Sequence, residues 1–252
     1  MTDATTIREN LHAVRERIGE AALRAGRDPD EIQLVAVTKT FPVDAIVVAW
    51  RLGQHHFGEN RPIEGARKVQ EVAVQLDLEG DIRPTWHMIG HIQSRKTNIV
   101  AEHFDYVHSV DRMKIARRLS RLMVAAGREM PTLIECNVSG EASKYGYDLA
   151  DWQCDADARA AFFDEVAALL ALPGLRIQGL MTMAPLVEDP ETVRPVFASL
   201  RALRDALRER FPGVEWRRLS MGMTDDFEVA IEEGATMLRI GRAIFGERPV
   251  YG

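Results

Sequence analysis

Three short segments hold residue types that could do chemistry together. Lys39 follows the apolar, β-branched run Leu34-Val35-Ala36-Val37-Thr38. Ser220-Met221-Gly222-Met223-Thr224 and Arg239-Ile240-Gly241-Arg242 mix glycines with hydroxyl and cationic side chains. Glycines after a strand let backbone N–H groups turn toward an anion, so Gly222 and Gly241, with Ser220 and Thr224 as hydroxyl donors, make a phosphate cradle. A partly buried lysine can lose its proton and form a Schiff base. A phosphorylated aldehyde would satisfy both features at once. Taken singly, each has a plainer reading: a solvated lysine, turn glycines, and an Arg239 paired with Asp225, Asp226 or Glu228.

The combination needs elements that bring these segments to one place. Ile7, Leu11, Val14, Ile18, Ala21 and Ala22 recur at helical spacing, and Gly26, Asp28 and Pro29 end that leading helix. Strands then alternate with helices: strands are predicted at 32–37, 55–57, 85–89, 106–109, 132–138, 175–180, 214–219 and 236–240. Asp111 is expected to cap the helix that ends at Gly127, and Asp225 to start another. Eight strand–helix units in 252 residues, roughly 31 residues each, predict a (β/α)8 TIM barrel with an extra N-terminal helix. One domain over 1–252 is expected, with residues 1–28 packed on the barrel's outside or one end. A doubly wound open sheet is disfavoured, since no Gly-x-Gly-x-x-Gly turn follows the first strand. In a barrel the loops after the seventh and eighth strands commonly hold phosphate, and closure places Lys39 beside Arg239.

Composition narrows the partners. Thirty-two Lys and Arg against 38 Asp and Glu give a net charge of −6, which argues against nucleic acid. Two cysteines, Cys136 and Cys154, are too few for a disulfide framework and form no Cys-x-x-Cys pair. The polar start and the lack of a long apolar run predict a cytoplasmic protein with no membrane partner. His87 and His91 straddle Gly90 rather than sharing a helix face, so no metal site is expected. His55 and His56 should alternate across the second strand. The Met181/Met183 and Met221/Met223 pairs read as core packing.

Several further segments match a known family in one order. They are Leu-Val-Ala-Val-Thr-Lys-Thr at 34–40, Phe-Gly-Glu-Asn at 57–60, Trp-His-Met-Ile-Gly-His-Ile-Gln-Ser at 86–94 and His-Ser-Val-Asp-Arg at 108–112. Glu-Cys-Asn-Val-Ser-Gly-Glu follows at 135–141, with Lys144 and Gly146, then Gly-Leu-Met-Thr-Met-Ala-Pro at 179–185. Leu-Ser-Met-Gly-Met-Thr-Asp-Asp at 219–226 and Arg-Ile-Gly-Arg-Ala-Ile-Phe-Gly at 239–246 complete the set. Over nearly its whole length the chain resembles the YggS/PROSC family of pyridoxal 5′-phosphate (PLP) homeostasis proteins, whose fold is like the barrel of alanine racemase. The resemblance implies that Lys39 carries PLP as a Schiff base. It implies that Ser220, with backbone around Gly222, Gly241 and Arg242, holds the phosphate, and that Arg239 faces the pyridine nitrogen. Asn60, Asn137, Met181 and His87 are implied as further pocket residues. The family usually has Ser or Thr where this chain has Arg242.

Two functions follow from the resemblance. One is a PLP-binding homeostasis protein that delivers the cofactor to apo-enzymes, without catalytic turnover, as a monomer. The other is a PLP-dependent amino-acid racemase, which needs a second acid/base on the opposite substrate face. In alanine racemase-like enzymes a Tyr from an additional C-terminal domain supplies it. The twelve residues after Ile240 are expected to leave no room for such a domain. Of Tyr106, Tyr145, Tyr147 and Tyr251, only Tyr145 and Tyr147 fall in a loop at the correct barrel end. A lysine aldolase acting on a phosphorylated sugar is a weaker third reading.

Overall fold

Eight parallel strands close on themselves. A computed structural model describes residues 3–77 and 83–247. The strands are β1 (Gln33–Val37), β2 (His56–Glu59), β3 (Thr85–Met88), β4 (Tyr106–Val110), β5 (Met130–Asn137), β6 (Leu175–Met181), β7 (Arg218–Ser220) and β8 (Met237–Ile240). Each pairs with its neighbour in sequence, β4 pairs with β5, and β1 pairs with β8 through Val35 opposite Arg239. The helices form the outer ring: α1 (Ala4–Arg24), α2 (Val43–Arg51), α3 (Pro62–Gln75), α4 (Thr97–His103), α5 (Met113–Ala125), α6 (Ala156–Leu170), α7 (Arg194–Arg210), α8 (Phe227–Glu232) and α9 (Arg242–Phe245). This is a (β/α)8 TIM barrel preceded by an extra helix. A two-residue strand, Tyr147–Asp148, adds to β5 at the rim.

Apolar residues sort to the two sides of the sheet. Val35, Tyr106, Leu133, Met181 and Met237 cluster inside the barrel. A much larger cluster fills the space between strands and helices. Helix α1 buries the six residues its periodicity singles out and lies on the outside, against α2, α8 and α9. Its Asp3 side chain caps the first turn by accepting from the Thr5 N–H. Asn10 donates to the Ile244 carbonyl, Arg17 pairs with Glu228 at 3.0 Å, and Arg27 beyond the helix donates to the Ile231 and Ala235 carbonyls. Residues 3–27 thus grip the last two helices of the barrel.

Some boundaries differ from expectation for physical reasons. The seventh strand is shorter, because Val214, Trp216 and Arg217 spend their N–H groups on local carbonyls instead of a ladder. Asp111 does not cap α5: Arg112 stands at the N-cap without a side-chain bond, and the Asp111 carboxylate is taken by Arg112 and His91. Helix α8 starts at Phe227, while Asp225 pairs with Arg242. Among the described residues, no helix is long and apolar enough to cross a membrane.

Candidate functional site

The C-terminal ends of the strands open into a cavity of about 390 Å³. Lys39 and Phe41 after β1, Asn60 after β2, Met183 after β6, Met223–Asp226 after β7, and Arg239, Gly241 and Arg242 of β8 and its loop all line it. Lys39 is half-buried in the turn beyond β1, and Arg239 is 4% exposed. Thus the two cations meet at one cavity from adjacent strands.

Lys39 sits between two threonines that the structure holds firmly. Lys68 of α3 is 1% exposed and donates to the Thr38 carbonyl at 2.6 Å, to Glu59 at 2.9 Å and to Glu64 at 2.8 Å. Thr38 adds its hydroxyl to Glu59 at 2.6 Å, and the Thr40 N–H donates to Glu64 at 2.8 Å. Thr40 has φ +70°, a left-handed conformation that is an outlier for a β-branched residue. Such strain persists where surroundings over-determine it, and it clusters at functional sites. Burial pushes the Glu59 carboxyl up, against the pull of Lys68. This charged clamp fixes the backbone on both sides of Lys39.

Arg239 stands over a different system. Its Nη1 donates to the Ser220 Oγ at 2.6 Å and its Nη2 to the Thr182 carbonyl at 2.8 Å. Among the described residues no carboxylate forms an ion pair with it: Glu228 is taken by Arg17, and Asp225 by Arg242. Burial lowers its pKa to about 10, opposed by the nearby charges of Asp226 and Glu135. Below Ser220, His108, His87 and His56 continue in a line of hydrogen bonds through the barrel.

The remaining site residues separate into two groups. Asn60, Gly241 and Arg242 line the cavity with Lys39 and Arg239. Ser220 does not: it is fully buried beneath it, with its hydroxyl committed to Arg239 and His108. Met181 is a layer lower, inside the barrel, and Met183 rather than Met181 reaches the cavity. Met223 also lines it instead of filling core. Asn137 spends its amide on its own loop, donating to the Glu141 carbonyl and accepting from Ser139. Gly222 adopts φ +94°, and a Cβ there would meet Ala230 at 2.7 Å, so its role is to turn the chain after β7. A Cβ on Gly241 would press on the Val37 carbonyl at 3.0 Å, which lets β8 close tightly against β1. Arg242 is turned outward to Asp225 at 2.5 Å. Tyr145 is exposed and stacks on His91, 4.0 Å between ring centres, in a neighbouring cavity that shares Asn60. Tyr147 donates to Glu165, and Tyr251 lies outside the described residues.

Comparison with known proteins decides the family. The family described as alanine racemase, N-terminal domain, matches residues 3–249. The pyridoxal phosphate homeostasis protein of Pseudomonas aeruginosa is 44% identical over 248 residues, covering 98% of each chain. That of Escherichia coli K12 is 43% identical over 246 residues, covering 96% of this chain and 97% of its own. The chain belongs to the pyridoxal phosphate homeostasis protein family. Among solved structures, PipY of Synechococcus elongatus with PLP bound is 34% identical, with a TM-score of 0.78, covering 95% of this chain and 100% of that one. An alanine racemase from Clostridium difficile shares the barrel fold at 14% identity and a TM-score of 0.72, and this chain covers 61% of it.

For this member of the homeostasis family, sequence reasoning missed Thr38, Thr40, Glu59, Glu64, Lys68 and His108. The only local signal was the Glu64–Lys68 spacing, which on a helix ordinarily reads as a solvated i,i+4 pair.

Proposed function

We propose that the cavity binds PLP covalently through the Lys39 amine and that the protein holds and delivers this cofactor without catalytic turnover. The observation that carries the reading is the convergence of Lys39 and the buried Arg239 on one ligand-sized cavity. When bound, the PLP aldehyde condenses reversibly with a primary amine, releasing water. Among the described residues Lys39 is the lysine lining the cavity, and the charged clamp on Thr38 and Thr40 fixes where its side chain starts. In this reading Arg239, which lines the same cavity, donates to the pyridine nitrogen. A guanidinium is a permanent donor and leaves that nitrogen unprotonated, which makes the ring a poor electron sink and disfavours carbanion chemistry.

The phosphate end falls to Thr224, Gly241, Arg242 and the backbone of residues 222–224. Three acids stand there, yet none need repel a phosphate: Glu247 is 85% exposed and lies 3.6 Å from Arg242. Asp225 is paired with Arg242, and burial raises the Asp226 pKa while its carboxylate accepts from the Met223 N–H. Ser220 acts on this site through Arg239 rather than by touching phosphate.

Racemisation would need a second acid/base facing the substrate. Among the described residues no tyrosine lines the cavity. Tyr106 is committed to Gln178 at 2.6 Å inside the barrel, and Tyr147 to Glu165 at 3.2 Å. In this reading the single domain works as a cytoplasmic monomer that hands PLP to apo-enzymes. Borohydride reduction followed by peptide mass spectrometry tests the attachment. A PLP-derived mass on the peptide containing Lys39, lost in Lys39→Ala, is expected; the mass on another lysine overturns it. Activation of an added apo-enzyme faster than by PLP released into buffer is expected of a carrier. Solvent deuterium entering amino-acid Cα at enzyme-like rates would show turnover instead.

A further inference from the structure

Three histidines thread the barrel interior in single file. His56 Nδ1 is 3.0 Å from His87 Nε2, His87 Nδ1 is 2.9 Å from His108 Nε2, and His108 Nδ1 is 2.9 Å from Ser220 Oγ. At the far end His56 Nε2 lies 2.6 Å from Gln33 Nε2. His87 and His108 are almost wholly buried, His56 is half-buried, and Tyr106 stacks on His87 with ring centres 5.1 Å apart. Among the described residues no group of His, Cys, Asp and Glu side chains is arranged to hold a metal ion. The file therefore has to be explained by its hydrogens.

The ring-to-ring links can run in either direction, and the Ser220 hydroxyl chooses between them. Each ring is neutral at pH 7, because burial lowers all three histidines, His56 to about 4. A neutral imidazole has one donor nitrogen and one acceptor nitrogen. Arg239 can only donate, so the Ser220 oxygen accepts from it at 2.6 Å. Among the described residues His108 Nδ1 is the acceptor in reach of the Ser220 proton, so the file that satisfies this hydroxyl sends the proton there. That leaves the His108 proton on Nε2, pointing at His87 Nδ1. The same reasoning puts the His87 proton on Nε2, toward His56 Nδ1, and the His56 proton on Nε2, toward Gln33. Gln33 then has to turn its side-chain oxygen to His56 where its nitrogen now stands, an amide flip that this direction requires. The Ser220 hydroxyl, accepting from Arg239 and donating to His108, thus gives the whole file one direction.

We propose that His56, His87 and His108 are positioning residues for Arg239: a one-directional file, all in the Nε2–H tautomer, that takes up the Ser220 proton, leaves its oxygen to accept from Arg239 alone and so holds the guanidinium at the cavity floor. This rests on the PLP reading only for what Arg239 faces. The file also ties the cavity floor to the opposite barrel end. A proton added to His56 makes both its nitrogens donors. His87 must then accept at Nε2, its own proton moves to Nδ1, and His108 follows. Ser220 receives two donors, its own proton loses its acceptor, and its bond to Arg239 is disturbed. The groups that bear on this step are His55 and His87, Arg218 from β7 and Asp105 before β4 around His56; Arg218 also faces His87, and Arg239 faces His108.

The test uses the PLP-free protein with 15N-labelled histidine rings, so it stands whether or not PLP binds. At pH 7.5, 1H–15N spectra should show the Nε2–H tautomer at all three positions. Acidification should move His87 and His108 to Nδ1–H with the midpoint at which His56 takes its proton. An Nδ1–H tautomer or an imidazolium at His87 or His108 at pH 7.5 overturns the file. So does retention of Nε2–H at both through the His56 titration. A second arm loads PLP and follows its absorption band with pH in wild type and in His56→Gln, whose amide can accept from His87 but cannot be protonated. The band should shift at the His56 midpoint in wild type and lose that shift in His56→Gln. The same shift in both overturns the link to the cavity floor, and no bound band at all counts against the PLP reading while the ring spectra still judge the file.

Discussion

The two cations at the cavity are supported in opposite ways. Behind Lys39 the support is ionic: one lysine against two carboxylates, with backbone carbonyl and N–H groups drawn in. Beneath Arg239 it is neutral: a hydroxyl, a carbonyl and a line of uncharged rings. The clamp works by short-range attraction in a buried setting, so it is strong and indifferent to which hydrogen points where. The file works by hydrogen-bond direction, so each link is modest and depends on the next. The first suits the attachment proposed for Lys39, whose starting point has to be fixed. The second suits the contact proposed for Arg239, because among the described residues no carboxylate pairs with the guanidinium and competes with a ligand for its donors.

The largest effect should come from breaking the clamp. Lys68→Met leaves Glu59 buried without its cation, and removing one partner of a buried pair costs about 3–5 kcal/mol. Urea unfolding should show this, with part of the loss recovered in Lys68→Met/Glu59→Gln, where the stranded charge is also gone. A loss as small as that of a surface pair would mean the clamp is solvated.

An intermediate effect separates the file by pH. The three histidines have folded-state pKa values below their unfolded ones, so the unfolded chain binds more protons as pH falls. Stability should be full above pH 6.5 and decline as pH drops from 6.5 toward 4. Thermal unfolding at pH 7.5 and 5 should show this fall, with a smaller fall in His56→Gln. Equal falls in both would remove His56 from the cause.

The smallest effect belongs to the rim. Arg242 and Asp225 are about half exposed, and exposed ion pairs contribute roughly 0–1 kcal/mol. Arg242→Ser should leave the unfolding midpoint almost unchanged while altering PLP retention at the phosphate end. A large stability loss would show that the pair is part of the fold rather than of the mouth.

Much of this was legible along the chain, and the limits have a physical cause. Strand runs and the α1 stripe announce themselves through local periodicity, so the barrel and its extra helix could be read before any contact was known. Lys39 and Arg239 were legible because barrel closure makes the first and last strands neighbours. His56 and His55 alternate as expected, with His55 exposed and His56 turned inward. Ser220 was read as a phosphate ligand because its neighbours in sequence are cradle-like. The partners it has in the structure, His108 and Arg239, come from strands that only the closed barrel brings near. Lys68 was invisible for a related reason: on a helix, a Glu–Lys pair gives no sign of whether it faces water or the strand ends.

Residues 3–27 have a consequence for the order of assembly. They rest on α8 and α9, elements made long after them, and β1 waits for β8 before its edge is paired. On the ribosome the lysine of the cavity emerges early and its arginine late. Domains generally fold as units during synthesis, and pairing of distant parallel strands is slow. A half-made chain therefore presents an unclosed sheet edge and an uncovered apolar stripe to whatever handles nascent proteins, and it lacks the site entirely. Competence to hold a ligand arrives in one step with closure, so retention of that ligand would report that the last strand is in place.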